Sequence, residues 1–485
     1  MTAPTSNRQA HTTPAVAPAP PAASASTTAP APQPPRRRSA LLGRNFLLLV
    51  AGQGCSLFGG TMLRFAMSMW VLDATGSATA FASLLALSVI PTILLSPFGG
   101  VLADRINRRT LMVGLDACSG VLVLAAMAWF ATRAGVAGFF GIATAREPAG
   151  DPNGGFSFAG VGALMVALAV LGAFETPIVQ AALPQILRGE SETTLRRGMA
   201  VINQIQQLSS LLPYFIGGVL YGLVGIGPMM AITTACFLGT AALECLIRLD
   251  APRRTAGAET DATTAGGTRT TSDARAIPSP VEDMRLALRF LTRERPNILR
   301  LMVLSVALNF FMVGYSAVGF PVIIRSTLGF DATAYGACEG VVGVASLAGA
   351  MLAGLAAARL DLGRLPAVLT LIGVTLVPAG AAFLLPLGPW ARLAVLVASC
   401  CATTCVCGFA NIIAIPAIQM RTPEAMTGKV MALVASFATC AQPLGQMLYG
   451  WLFDVAAPAW ILLGTAAAIL ALSVVTAPML GRFDR

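Results

Sequence analysis

The sequence predicts an all-α integral membrane protein of twelve transmembrane helices in two six-helix bundles, with both termini in the cytoplasm. Three observations predict it. The chain has 485 residues, of which 56% are hydrophobic and 11% charged, whereas water-soluble domains are about 45–50% apolar and ~25% charged. Apolar runs recur at the roughly 20-residue length that spans a ~30 Å hydrocarbon core. These runs are continuous rather than alternating, which favours helices over a barrel, because in lipid each helix satisfies its own backbone. Finally, the basic residues are sorted to alternate loops.

The elements follow in order. Residues 1–43 are rich in Pro, Ala, Ser and Thr and contain no apolar run long enough for a signal peptide, so they read as a disordered cytoplasmic tail. "RRRSALLGRNFLLLV" then runs a basic flank into an uncleaved first span, and "VAGQGC" lacks the residues of a lipobox before Cys55. The spans are expected at 45–72, 78–102, 110–132, 157–184, 199–225 and 228–248, within a first bundle of residues 44–249. A hydrophilic linker, 250–296, ends in "PVEDMRLALRFLTRERPN", where Val281, Met284, Leu286, Ala287, Phe290 and Leu291 share one helical face. That pattern predicts a short amphipathic helix on the inner membrane surface. The second bundle, 297–485, carries spans at 298–324, 333–358, 365–386, 391–417, 429–453 and 457–479.

The net charge of +10 follows the loops, which argues against nucleic acid as a partner and for a lipid bilayer. Of the 32 basic residues, Arg133, Arg146, Arg325 and Arg392 fall on the outer side, Arg64 falls inside a span, and the rest fall on the cytoplasmic side. This is the positive-inside pattern. All ten cysteines lie in apolar segments, so a disulfide framework is not expected. Cys401 and Cys405 share a helix face, but small thiols also serve as packing residues, and no metal site is expected. The only histidine, His11, is in the tail, which excludes a histidine-based metal site or general base in the membrane. There is no P-loop, no nucleophile with a base and no large soluble domain, so the chain reads as neither an enzyme nor the holder of a cofactor.

Two stretches then stand out. "GGVLYG" (217–222) and "GQMLYG" (445–450) occupy equivalent places in the fifth and eleventh spans, preceded by Pro213 and Pro443, and suggest repeated halves. "GGVLADRINRRTLM", between spans two and three, concentrates Asp104, Arg105, Arg108 and Arg109 in a chain poor in charge. With Gly100, Leu102 and Ala103, these residues resemble the signature of the major facilitator superfamily, although Asn107 stands where a Gly is usual. "FETPIVQAALPQI", "RTPEAMTGKVMAL" and "LPYFIGGVLYG" further resemble the branch of enterobactin exporters and macrolide-efflux proteins. Leu212 departs from the Gly that usually precedes the proline of the antiporter-type helix, here Pro213, Gly217 and Gly218.

The resemblance implies a secondary active transporter that exposes a central cavity alternately to either side, by rocking of its halves. It further implies a proton-coupled efflux antiporter in the inner or plasma membrane of a prokaryote, monomeric by default for this fold. The cargo would be an amphipathic small molecule such as a siderophore, macrolide or other drug-like compound. An importer or facilitator of the same fold, or a transport-inactive receptor, are the alternatives.

Several side chains are candidates for this machinery. Asp104 at the inner end of span two is placed to meet the N-terminus of span eleven near Gly428, where amides and the helix dipole favour an anion. Gly100, Asp104, Arg105, Arg108, Arg109 and Asp116 would thus form a conformational latch, with Asp116 a buried partner of the arginines; the plainer reading is that the arginines only enforce topology. Glu175 and Glu339 are the proton-coupling candidates, because ionisable groups inside spans face a partner or a watery cavity. Glu244, near the inner end of span six, is expected to snorkel to water. Arg64, Gln207, Asn309, Tyr315 and Asn411 are the substrate-cavity candidates, with Arg64 facing either an anionic group of the substrate or an acidic side chain.

Overall fold

The computed structural model describes residues 43–105, 107–134, 158–187, 191–247, 285–286 and 288–480. The expected tail, apart from Gly43, and most of the expected linker lie outside these residues. The described residues are helical, with no strand among them. Among the described residues, twelve helices are long and apolar enough to cross a membrane. The first six are α1 (Arg44–Thr75), α2 (Ala78–Arg105), α3 (Arg108–Ala134), α4 (Phe158–Ile186), α5 (Glu192–Val224) and α6 (Ile226–Cys245). The others are α7 (Pro296–Thr327), α8 (Ala332–Ala356), α9 (Leu365–Ala382), α10 (Pro389–Arg421), α11 (Glu424–Val455) and α12 (Pro458–Leu480).

Local chemistry sets the ends. Gly76 stops α1 with φ 62°, a left-handed conformation that glycine adopts without a Cβ penalty, and its amide bonds Leu72 O at 2.9 Å. Helix α5 starts seven residues before the expected 199, because Ser191 caps it by accepting from the Thr194 amide. The polar start of that helix had read as loop; its exposed Glu192 and Arg196 instead form an i,i+4 pair at 2.7 Å. Asp331 caps α8 in the same way, through the Ala334 amide at 2.8 Å.

The two halves repeat the same pairings. In the first, α2 packs on α4, α3 on α6 and α1 on α5; in the second, α8 packs on α10, α9 on α12 and α7 on α11. The departure is α7, which widens into π-helical turns at Gly314–Gly319 and Ile323–Thr327. These turns shift the helical phase, and Tyr315 is turned into the core of the second half rather than toward its partner. Ahead of α7, Phe290 and Leu291 are also buried in that core, so these two residues of the predicted amphipathic face pack on protein instead of lipid.

The halves meet along two antiparallel crossings, α2 with α11 and α5 with α8, at the end of the molecule that carries the α1–α2 turn. Small residues permit the approach: a Cβ on Gly218 would lie 2.7 Å from Gly336 Cα, and one on Gly336 would lie 2.8 Å from Gly218 Cα. Gly222 abuts Thr333, and Gly450 abuts Ala82. The echoed "GGVLYG" and "GQMLYG" are therefore the two faces that bring the halves into contact. Gly218→Val is expected to part α5 from α8 at this end. Electron–electron resonance between spin labels on the two helix ends would report it as a distance longer by several ångströms.

Candidate functional site

At the closed end, charge complements the helix crossings. Asp454, one residue before the end of α11, accepts from the Ala78 amide at 2.7 Å, the Thr79 amide at 3.0 Å and the Ser77 hydroxyl at 2.9 Å. An anion is thus set on the otherwise unsatisfied N–H groups of α2, where the helix dipole favours it. Beside it, Arg325 of α7 pairs with Asp73 of α1 and donates to Phe330 O, while the Tyr221 hydroxyl donates to Asp73 at 3.1 Å. Neither carboxylate was singled out from sequence. The available signal was an Asp near the end of one span with a Ser-Ala-Thr helix start in another, and only folding brings them together.

At the opposite end lies the "GGVLADRINRR" stretch. Helix α2 runs on through Asp104 to Arg105, but the side chains of Gly100, Asp104 and Arg105 are outside the described residues. Arg108 donates to Ala181 O in the last turns of α4, and Arg109 donates to Cys245 O at the end of α6. At Cys245 this places a cation on a carbonyl at a helix C-terminus, where the helix dipole favours it. Asn107 accepts from the Arg109 amide at 3.1 Å, starting α3. Helix α11 begins at Glu424 behind Pro423, with no side-chain cap at its N-terminus.

About two turns deeper along α3, three carboxyls from three helices converge. Asp116 of α3 and Glu244 of α6 are each 3% exposed. Ser56 of α1 donates to Asp116 at 2.7 Å and also reaches Glu175 of α4; Gln53, 2% exposed, donates to Glu175 at 2.8 Å. The Asp116, Glu175 and Glu244 carboxyls lie close enough to act electrostatically on one another. This corrects two expectations. Glu244 does not snorkel, because α6 packs on both α1 and α3 there, and Gly52 leaves room for its side chain. Asp116 accepts from Ser56, while the signature arginines bond the carbonyls of α4 and α6. Gln53 Oε1 and Glu244 Oε2 are buried without a hydrogen-bond partner.

Two cavities meet at Arg64. One, of about 240 Å³, lies within the first half and is lined by Ser56, Arg64, Ser119, Glu175, Thr176 and Phe237 among others. The other, of about 230 Å³, lies between the halves, with Arg64 and Tyr214 on one side and Ser316, Tyr335 and Glu339 on the other. Glu339 and Glu175 therefore face different cavities, and Arg64 belongs to both. The remaining substrate-cavity candidates line neither. Gln207 and Asn411 are exposed, Asn309 donates to Ser305 O at 2.9 Å on its own helix, and Tyr315 is buried near Cys400. In the antiporter-type helix, Gly217 packs against Met62 and Phe65, while Gly218 makes the inter-half contact.

The family model described as Major Facilitator Superfamily matches residues 49–445. Macrolide efflux protein A of Streptococcus pyogenes is 34% identical over 71 residues, which is 15% of this chain and 18% of that protein's length. Among solved structures, a bacterial homologue of the iron transporter ferroportin in an inward-facing state aligns with TM-score 0.61 at 18% identity. That alignment covers 90% of this chain and 99% of the other. A bacterial homologue of the lysosomal transporter Spinster, inward-facing and unoccupied, aligns with TM-score 0.59 at 14% identity, covering 90% and 95%. Both likenesses are of fold.

Asp454→Asn keeps the side chain's shape and removes its charge. It is expected to cost the closed arrangement about 1 kcal/mol, a roughly fivefold shift in the ratio of the two states. The populations of short and long label distances across α2 and α11 at this end would measure that shift.

Proposed function

The chain belongs to the Major Facilitator Superfamily, and from that premise we propose that it is a proton-coupled efflux antiporter exporting an amphipathic small molecule by alternating access. It is a multi-pass membrane transporter; the export, the proton and the cargo are the proposal. The observation that carries the coupling is the buried group of Asp116, Glu175 and Glu244. Its members are hydrogen-bond acceptors, and the donors given to them by protein are Gln53 Nε2 and the Ser56 hydroxyl. Like charges gathered in a low-dielectric site disfavour full ionisation, so the group favours retaining a proton. Two further oxygens there are unpartnered. Such a group, placed in a membrane protein beside a cavity, has the chemistry of a proton carrier.

The loop charges support both termini on the cytoplasmic side, in the inner or plasma membrane of a prokaryote, as a monomer. In that orientation the Asp454 end is outer, and the arrangement seen is closed to the outside. In the alternative state the inner ends close, and Asp104 caps the uncapped start of α11 as an inner latch, with Arg105 beside it. Arg108 and Arg109 hold the signature turn to α4 and α6 so that Asp104 moves with the first half. The stretch similar to macrolide efflux protein A supports export of a macrolide, within the wider class of siderophores and other drug-like compounds that we propose.

Inside-out vesicles test the reading. Uptake of a macrolide or siderophore is expected to depend on an imposed proton gradient, and Glu175→Gln is expected to abolish that dependence. Asp104→Asn is expected to slow uptake while leaving the gradient requirement in place. Uptake that survives collapse of the gradient would overturn proton coupling and favour a facilitator. Absence of uptake with any substrate of the panel would favour the receptor reading.

A further inference from the structure

The cavity between the halves holds opposite charges that are not joined. Arg64 of α1 and Glu339 of α8 both line it. The ion pairs among the described residues are Glu192–Arg196, Asp73–Arg325 and Asp361–Arg364, and neither Arg64 nor Glu339 is in one. They are nonetheless neighbours of one group, since both act electrostatically on the Tyr214 hydroxyl at the cavity wall. Tyr335, one turn before Glu339 on α8, lines the cavity beside it. Ser68, one turn after Arg64 on α1, is 3% exposed, and its hydroxyl has no partner. The guanidinium and a buried unpartnered hydroxyl thus belong to one helix, and the carboxyl belongs to the facing helix.

Aromatic rings close the space. Phe65 stacks on Tyr335 with ring centroids 5.7 Å apart and 1° between planes, and it meets Tyr214 edge-on at 5.8 Å. Such faces attract an ammonium that is also paired with a carboxylate. The second cavity, opening from the other side of Arg64, has apolar walls in Leu57, Met67, Met165, Leu168 and Phe237 beside polar Ser119, Glu175 and Thr176. It suits the body of an amphipathic molecule.

We propose that the central cavity recognises a zwitterionic, amphipathic ligand, with its protonated amine at Glu339 between the tyrosines and its carboxylate at Arg64 and Ser68. Its apolar body extends past Arg64 into the first-half cavity. This names the substrate class of the transporter reading above and rests on it. The physical reason is a matching of charges: a singly charged ligand desolvates both protein charges and pairs with one, leaving the other buried and unpaired. A zwitterion pairs with both. The pairing also crosses from α1 to α8, so a bound ligand joins the two halves that must move relative to each other.

Equilibrium binding to the full chain in lipid nanodiscs tests this with three probes of matched shape: 2-naphthylalanine, 2-naphthylethylamine and 3-(2-naphthyl)propionic acid. The zwitterion is expected to bind at least about tenfold more tightly than either singly charged probe. Glu339→Gln is expected to reduce its affinity to that of the acid, and Arg64→Gln to that of the amine. Because each result is a ratio within one preparation, a poorly folded variant lowers all three probes alike. Equal affinities in the wild type, no binding of any probe, or a ratio unmoved in either variant overturns the proposal. The measurement needs no gradient, so its failure leaves proton-coupled export standing, and failure of the vesicle test leaves this specificity standing.

Discussion

The arrangement turns on one carboxylate at a helix end. Asp454 gives α2 the hydrogen-bond acceptors that the first turn of any helix lacks, and it does so from the other half of the molecule. The contact is short-ranged and directional, so it exists only while α2 and α11 are crossed at this end. Gly450 against Ala82 and Gly218 against Gly336 allow the backbones close enough for it to form. A contact of this kind contributes only a few kcal/mol, which is the right size for a transporter. A much stronger seal would hold one state permanently.

Hydrocarbon sets the second constraint. A helix in lipid can hide its backbone but not a carboxylate or guanidinium, so each charge inside a span must find a partner, a cavity or an end. The chain uses all three. Asp116 and Glu175 are held by Ser56 and Gln53, with Glu244 buried close by; Arg64 and Glu339 face open volume; Asp73, Arg325 and Asp454 sit at the closed end. These groups fall at three depths, and the cavities that meet at Arg64 connect the two deeper ones. Acid group and central cavity are thereby neighbours through a single side chain on α1.

The internal repeat gives the two halves equivalent frames. The pairings within one half recur in the other, and the helices that cross the interface, α2 with α11 and α5 with α8, are the equivalents of each other. The main departure is the π-widened α7, which directs Ser316 and Ala317 to the cavity while Tyr315 packs inward. A repeat alone would have placed Tyr315 by helical phase, and the wide turn cancels that inference.

Sequence alone determined the class, the number of spans and the likeness of the halves. These depend on length, hydropathy and local motif, and a hydrophobic run about 20 residues long has no other stable use than to span. It marked Glu175, Glu339 and Arg64 as well, because an ionisable residue within a span is conspicuous whatever its neighbours. It failed on Glu244, whose place near a span's end reads as contact with water until α1 and α3 are seen packed around it. It passed over Asp454 and Asp73, whose partners lie in other helices. Only the tertiary structure decided which charges meet, since helices crossing at an angle bring together residues hundreds of positions apart, and no local pattern in the chain records that distance.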